Sequence, residues 1–173
     1  MHPLSDFRHC PHCGSKRFEA YDDFSKKCGD CGFTFYPNAA AATVGVILNE
    51  QDELLCVRRG REPALGTLDL PGGFVDPGES ITEGLLREIR EEVGGEVIYF
   101  RFLFSFPNAY PYSGHVVHTA DAFFLCRLEK GVEVSACDDA SEFVWLSRQA
   151  IKPELFGLTS VRRGVEHLLK HWP

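Results

Sequence analysis

The sequence predicts an α/β fold: an α/β/α sandwich around a mixed sheet, preceded by a small four-cysteine ribbon. Three observations carry this. Short apolar runs of strand character stand before and after one acidic helix, an amphipathic helical pattern follows them, and two Cys-x2-Cys pairs precede them all.

The pairs come first. Cys10-x2-Cys13 and Cys28-x2-Cys31 are separated by fourteen residues, and a glycine follows each second cysteine, at Gly14 and Gly32. Such knuckles turn backbone amides toward thiolates, and four thiolates hold Zn²⁺ in a closed tetrahedron with no position left for chemistry. The site is therefore expected to be structural, with the metal supplying folding energy that so short a segment cannot obtain from a core. His9 and His12 read as surface residues. Cys56 and Cys126 fall in apolar runs and read as buried, inert thiols. Phe33, Phe35 and Tyr36 lead through Pro37-Asn38 into the next unit and are expected to pack the ribbon onto it. The domains are thus a ribbon over 1–38 and a catalytic domain over 39–173.

In the second unit, Thr43 to Leu48 and Leu54 to Arg58 read as strands, with Asn49 to Asp52 as a hairpin turn. Phe100 to Phe106, Val116 to Leu128 and Glu142 to Leu146 read as further strands. Phe102, Phe104, Phe123 and Phe124 are expected in the core. Val161 to Lys170 reads as a helix with Val161, Val165, Leu168 and Leu169 on one face.

Between these runs lies Gly73 to Gly94. Ser80 can cap a helix and Glu83 stands three residues on, as a capping box requires; Gly94 offers the left-handed stop. Leu85, Leu86, Ile89 and Val93 share one arc, while Glu88, Glu91 and Glu92 fill the neighbouring one. Like charges at this spacing repel. An oxygen-only cluster suits Mg²⁺ or Mn²⁺ bridging to substrate phosphate. Gly84 lies in the carboxylate arc, where it costs about 1 kcal/mol relative to alanine; its expected benefit is open space above the glutamates.

This segment resembles the Nudix box, G-x5-E-x7-R-E-U-x-E-E-x-G-U, with U a bulky aliphatic. Every fixed position matches except the last U, where Gly95 stands and Val97 or Ile98 are the candidate substitutes. The resemblance covers about 39–172 and implies the same sandwich. It also implies hydrolysis of a nucleoside diphosphate linked to another moiety. Glu88 and Glu92 are then the principal ligands to Mg²⁺ or Mn²⁺, with a backbone carbonyl from Gly72 or Gly73. Glu91 is a third ligand or part of the base that activates water. Glu79 reaches a second metal or Arg87, and Arg87 orients the glutamates through its fork.

With its ribbon, the chain more closely resembles the NADH pyrophosphatase group of zinc-ribbon Nudix proteins. Asp139 aligns with a downstream metal-binding glutamate of that group; Asp138, Asp139 and Glu142 are the later-loop carboxylates that are candidates for the base. The group's S-Q-P-W-P-F-P stretch corresponds here to Ser105 to Tyr112, which keeps Ser105, Pro107 and aromatic character but not the motif. ADP-ribose and NADH-like compounds are the expected substrates. Arg59 is a candidate for binding phosphate, and Phe106, Tyr110 and Tyr112 for stacking a base. Removal of a nucleotide cap from RNA 5′ ends is the alternative, as is a catalytically silent nucleotide sensor, against which the intact box weighs.

The net charge of −7 argues against a duplex nucleic-acid footprint. Lys16, Arg17, Lys26 and Lys27 leave nucleic acid open through the ribbon, although an interaction or dimerisation module is preferred, and the resemblance allows a homodimer. The polar N-terminus is no signal peptide, and no apolar run approaches membrane-spanning length. The expected setting is cytoplasmic, without membrane partners.

Overall fold

The computed structural model describes residues 2–132, 134 and 140–173. The backbone separates into two compact units, Met1–Ala39 and Ala40–Pro173. No helix among the described residues is long and apolar enough to cross a membrane.

The first unit is a three-stranded antiparallel sheet of β1 (Phe18–Ala20), β2 (Lys26–Cys28) and β3 (Thr34–Phe35). Its buried apolar residues are Cys10, Phe18 and Cys28, with Phe33 and Phe35 packed against them. The two phenylalanines expected to face the second unit thus belong to the ribbon's own small core.

The second unit contains β4 (Ala40–Ile47), β5 (Leu54–Arg59), β6 (Leu68–Asp69), α1 (Ile81–Val93), β7 (Val97–Tyr112), β8 (His115–Leu128), β9 (Ala140–Leu146) and α2 (Thr159–Lys170). β4, β8 and β7 form one sheet, with β4 parallel and β7 antiparallel to β8; β6, β5 and β9 form an antiparallel second. Strand alternation feeds two cores. Val44, Val46, Leu54, Cys56 and Phe123 pack with Val161, Val165 and Leu168 of α2. Ile47, Leu55, Phe124 and Cys126 pack with Leu85, Ile89 and Val93 of α1. The central strands are buried on both faces, which is why they read as nearly continuous apolar runs.

Three expectations change. β4 and β5 do not pair as a hairpin: a single bridge, Leu48 to Leu54, joins them, and β4 crosses to β8 instead. The turn itself exists, closed by Asn49 Oδ1 accepting from the Gln51 and Glu53 amides. Phe102 is 54% exposed rather than core, because the register shift between Phe102 and Phe104 breaks the alternation. At Gly95 a Cβ would lie 2.9 Å from Val132 Cγ1. Val132 fills the place of the missing aliphatic, together with Val97 in the core; Ile98 is exposed.

Candidate active site

The helix α1 forms where its sequence dictates. Ser80 Oγ accepts from Glu83 N while the Glu83 carboxylate accepts from Ser80 N, so the capping box is closed. Gly94 ends the helix at φ 75°, with its amide donating to Arg90 O. Leu85, Ile89 and Val93 are fully buried, which fixes the rotation of the helix and so the direction of its glutamates.

Arg87 organises them. Its Nε and Nη2 grip the two oxygens of Glu79 at 2.8 and 3.0 Å, and Nη2 also donates to Phe74 O. Nη1 reaches Glu88 at 2.8 Å and Glu91 at 3.2 Å. One planar cation thus holds three carboxylates. Hydrogen bonds from Arg87 and from the Asp76 amide hold the Glu79 carboxyl below its ordinary range. Burial pushes Glu88 up, against the pull of Arg87. Glu92 points elsewhere and accepts from the Gly72 amide at 2.8 Å.

The turn before the helix is fitted to these carboxylates. Gly72 has φ 139°, and a Cβ there would sit 2.1 Å from Thr43 O. A Cβ on Gly73 would come within 2.6 Å of Glu88 Oε2. The Gly73 carbonyl accepts from Thr43 N–H at 2.8 Å, which commits it to β4. Gly84 has a different reason from the one expected. It is buried, and a Cβ would meet Val75 and the Glu79 carboxylate at 3.1 to 3.4 Å. The glycine admits the incoming loop; it does not leave open space over the glutamates.

Glu88, Glu91, Glu92, Gly72 and Gly73 line a cavity of about 690 Å³ with Phe74, Arg59, Tyr110 and Tyr112. Arg59 is tied to Asp69 at 2.5 Å and to the Tyr110 hydroxyl at 3.3 Å, so most of its charge is already answered. Phe74 and Tyr110 meet edge to face at 5.9 Å, and Tyr110 stacks on Tyr112 at 6.5 Å. Phe106 is not brought to the cavity. It packs on Phe123 and Phe104 under α2, with Arg163 over its ring. Asp139 lies outside the described residues, as do Cys137 and Asp138. Glu142 pairs with Arg58.

Sequence reading missed four polar residues of the lining. Asp69, Asn108, Thr119 and Asp121 are buried polar residues that face the cavity. Their signal was polar residues set into otherwise apolar strands, as in Leu68-Asp69-Leu70.

The donor sets differ in readiness for metal. Among the described residues, the one group of three or more histidines, cysteines or carboxylates with ligand atoms all within 4.8 Å of one another is Cys10, Cys13, Cys28 and Cys31. Cys10 and Cys31 sulfurs lie 3.7 Å apart and Cys13 and Cys28 sulfurs 3.6 Å. Ligands about 2.3 Å from a tetrahedral Zn²⁺ stand roughly 3.8 Å from each other, so this cluster fits that ion. Backbone amides of Cys31 and Asp30 help pull the Cys28 thiol down to about 6. Glu88 and Glu92 fit a hard cation by chemistry and by the glycine cradle, while their present partners are Arg87 and the Gly72 amide.

The sequence model of the NUDIX domain family matches residues 38–167. The NAD-capped RNA hydrolase NudC of Vibrio vulnificus (strain CMCP6) is 30% identical over 120 residues, 69% of this chain and 45% of that protein. The NudC of Pseudomonas aeruginosa (strain LESB58) is 30% identical over 163 residues, 94% of this chain and 54% of that one. The chain spans about half the length of these curated relatives. A NUDIX hydrolase structure from Nitrosomonas europaea superimposes with a TM-score of 0.74, covering 95% of this chain and 92% of that chain at 16% identity, a likeness of fold.

Proposed function

Because the chain belongs to the NUDIX domain family, we propose that it hydrolyses a nucleoside diphosphate linked to another moiety, as an ADP-ribose or NADH-like pyrophosphatase does. The observation that carries this is one cavity wall. Glu88, Glu91 and Glu92 share it with the Gly72-Gly73 turn, and aromatic rings line the same cavity. The curated relatives are named for NAD-capped RNA, a substrate class with the same kind of diphosphate link.

In this reading Glu88 and Glu92 would hold Mg²⁺ or Mn²⁺ with the Gly72 carbonyl, and Asp139 is the proposed downstream ligand. Such an ion, when bound, neutralises and orients the diphosphate oxygens. The chain's own residues do the rest. Arg87 keeps Glu79 and Glu88 in place and offsets their repulsion. Glu91, 62% exposed, is the carboxylate open to solvent and accepts a proton from the attacking water. Water oxygen joins one phosphorus, the bridging P–O bond breaks, and two phosphate monoesters leave. The four cysteines would hold Zn²⁺ with no position left for substrate, so that ion would serve the ribbon alone.

The test is hydrolysis with Mg²⁺ or Mn²⁺ of ADP-ribose, NADH, NAD⁺, dinucleoside polyphosphates, nucleoside triphosphates and NAD-capped RNA. Turnover of the sugar- or nicotinamide-linked diphosphates is expected. Absence of turnover across the panel would overturn the reading.

A further inference from the structure

The strands β7 and β8 build a cavity floor that the box does not account for. Tyr110 and Asn108 alternate along β7, and Val117, Thr119 and Asp121 alternate along β8. Tyr110 pairs with Val117 and Asn108 with Thr119, so alternation by two places all five on one face. All five line the cavity. The floor runs from a ring at Tyr110 to a buried polar end at Asn108 and Asp121.

Asn108 is the informative residue. Only 8% of it is exposed, it lines the cavity, and its amide atoms are not among the fully buried unpartnered ones, so they open onto that cavity. An amide offers two donors and an acceptor to whatever occupies the cavity. The polar residues beside it are engaged. Thr119 Oγ1 donates to Asp121 Oδ1, and Ser160 Oγ donates to Oδ2. Each Asp121 oxygen keeps acceptor capacity, and no cation lies within ion-pair distance of that carboxylate among the described residues. The floor therefore presents an amide donor and acceptor beside the Asp121 carboxyl group, next to rings able to stack a planar group.

Resting on the proposed nucleotide substrate, we infer that Asn108 is a specificity-determining residue. It reads the edge of a planar ring that carries an N–H donor beside an acceptor, with Asp121 favouring the donor. Adenine with its 6-amino group and nicotinamide with its carboxamide share this chemistry. A bare phosphate does not. The floor thereby gives the substrate a direction: diphosphate to the glutamates, ring edge to Asn108.

The test is calorimetric titration of the full chain, with Mg²⁺, using AMP, nicotinamide mononucleotide and purine riboside 5′-monophosphate, which lacks the 6-amino group. Wild type is expected to favour AMP or nicotinamide mononucleotide over the purine riboside by about tenfold, the value of one or two hydrogen bonds. Asn108→Ala should erase that preference and leave purine riboside binding within about twofold. Asn108→Leu, which keeps the volume, should do the same, with melting temperature and zinc content checked for both. Preference carried by AMP assigns the adenine edge; preference carried by nicotinamide mononucleotide assigns the carboxamide. Equal weakening of all three ligands, an unchanged preference, or no binding to wild type would overturn the inference. AMP binding without diphosphate hydrolysis would fail the enzymatic reading alone. Hydrolysis without dependence on Asn108 would fail this one alone.

Discussion

The cysteine cluster and the carboxylate helix are both ligand sets, but they are held in opposite ways. The four sulfurs converge on one point, in a unit whose buried core is Cys10, Phe18 and Cys28 with two phenylalanines against it. Half of the ligands are that core. The glutamates of α1 do not converge. They hang from a helix locked by Leu85, Ile89 and Val93, and are spread between Arg87 and the Gly72 amide. A site of the first kind draws folding energy from its ion, whereas the second hangs from a helix held by its own apolar packing.

Removing one sulfur should break this comparison most visibly. Cys28→Ser is expected to release the zinc, about one per chain, and unfold residues 1–39, seen as lost amide dispersion for that unit while Ala40–Pro173 keeps its spectrum. A ribbon that stays folded and metal-free would show that its small core suffices. Glu92→Gln should do the reverse. Activity is expected to fall roughly 10²–10³-fold or more, while the melting temperature and zinc content stay near wild type. Survival of activity would move the site off this helix.

Arg87→Lys sharpens the contrast with a smaller effect. Lysine keeps the charge but not the fork that spans Glu79 and Glu88. Because Arg87 is 24% and Glu79 22% exposed, the stability loss should be about 1–2 kcal/mol, below that of a fully buried pair. A fall in kcat with little change in KM is expected, since Arg87 is not placed on the substrate. The smallest effect concerns the other thiols. Burial pushes Cys56 and Cys126 up to about 12. Above the ordinary value of 9.0 the unfolded chain ionises while the fold keeps its protons. Stability therefore falls as pH rises from about 9 toward 12. Below that window both thiols should resist alkylation until the body unfolds, whereas the ribbon cysteines react once zinc is chelated.

Much of this architecture was legible in local pattern. Ser80, Glu83 and Gly94 define α1 by capping chemistry that needs no tertiary partner. The two-faced burial of β4, β5 and β8 follows from their apolar runs. The errors lie where two distant segments meet. Phe106 satisfies a stacking motif as well as a core motif, and only the seat of α2 decides between them. Gly84 looked like room for a ligand, yet the space belongs to Val75 and Glu79. The turn at Asn49 is real, but the partner of β4 is β8, about seventy residues on, and no turn residue encodes that.

By itself the sequence determined which residues can do chemistry: four thiolates at knuckle spacing, and three glutamates on one helical arc with an arginine beside them. These are properties of short-range geometry, set by the helical repeat and by capping. Only the tertiary structure decided what those residues face. It pressed Gly73 against Glu88, tied Arg59 to Asp69, and turned Asn108, Thr119 and Asp121 onto one cavity floor. The reason is physical. A strand's side chains alternate by two whatever their partners, so which face becomes a cavity depends on the sheets, helices and loops that pack across it.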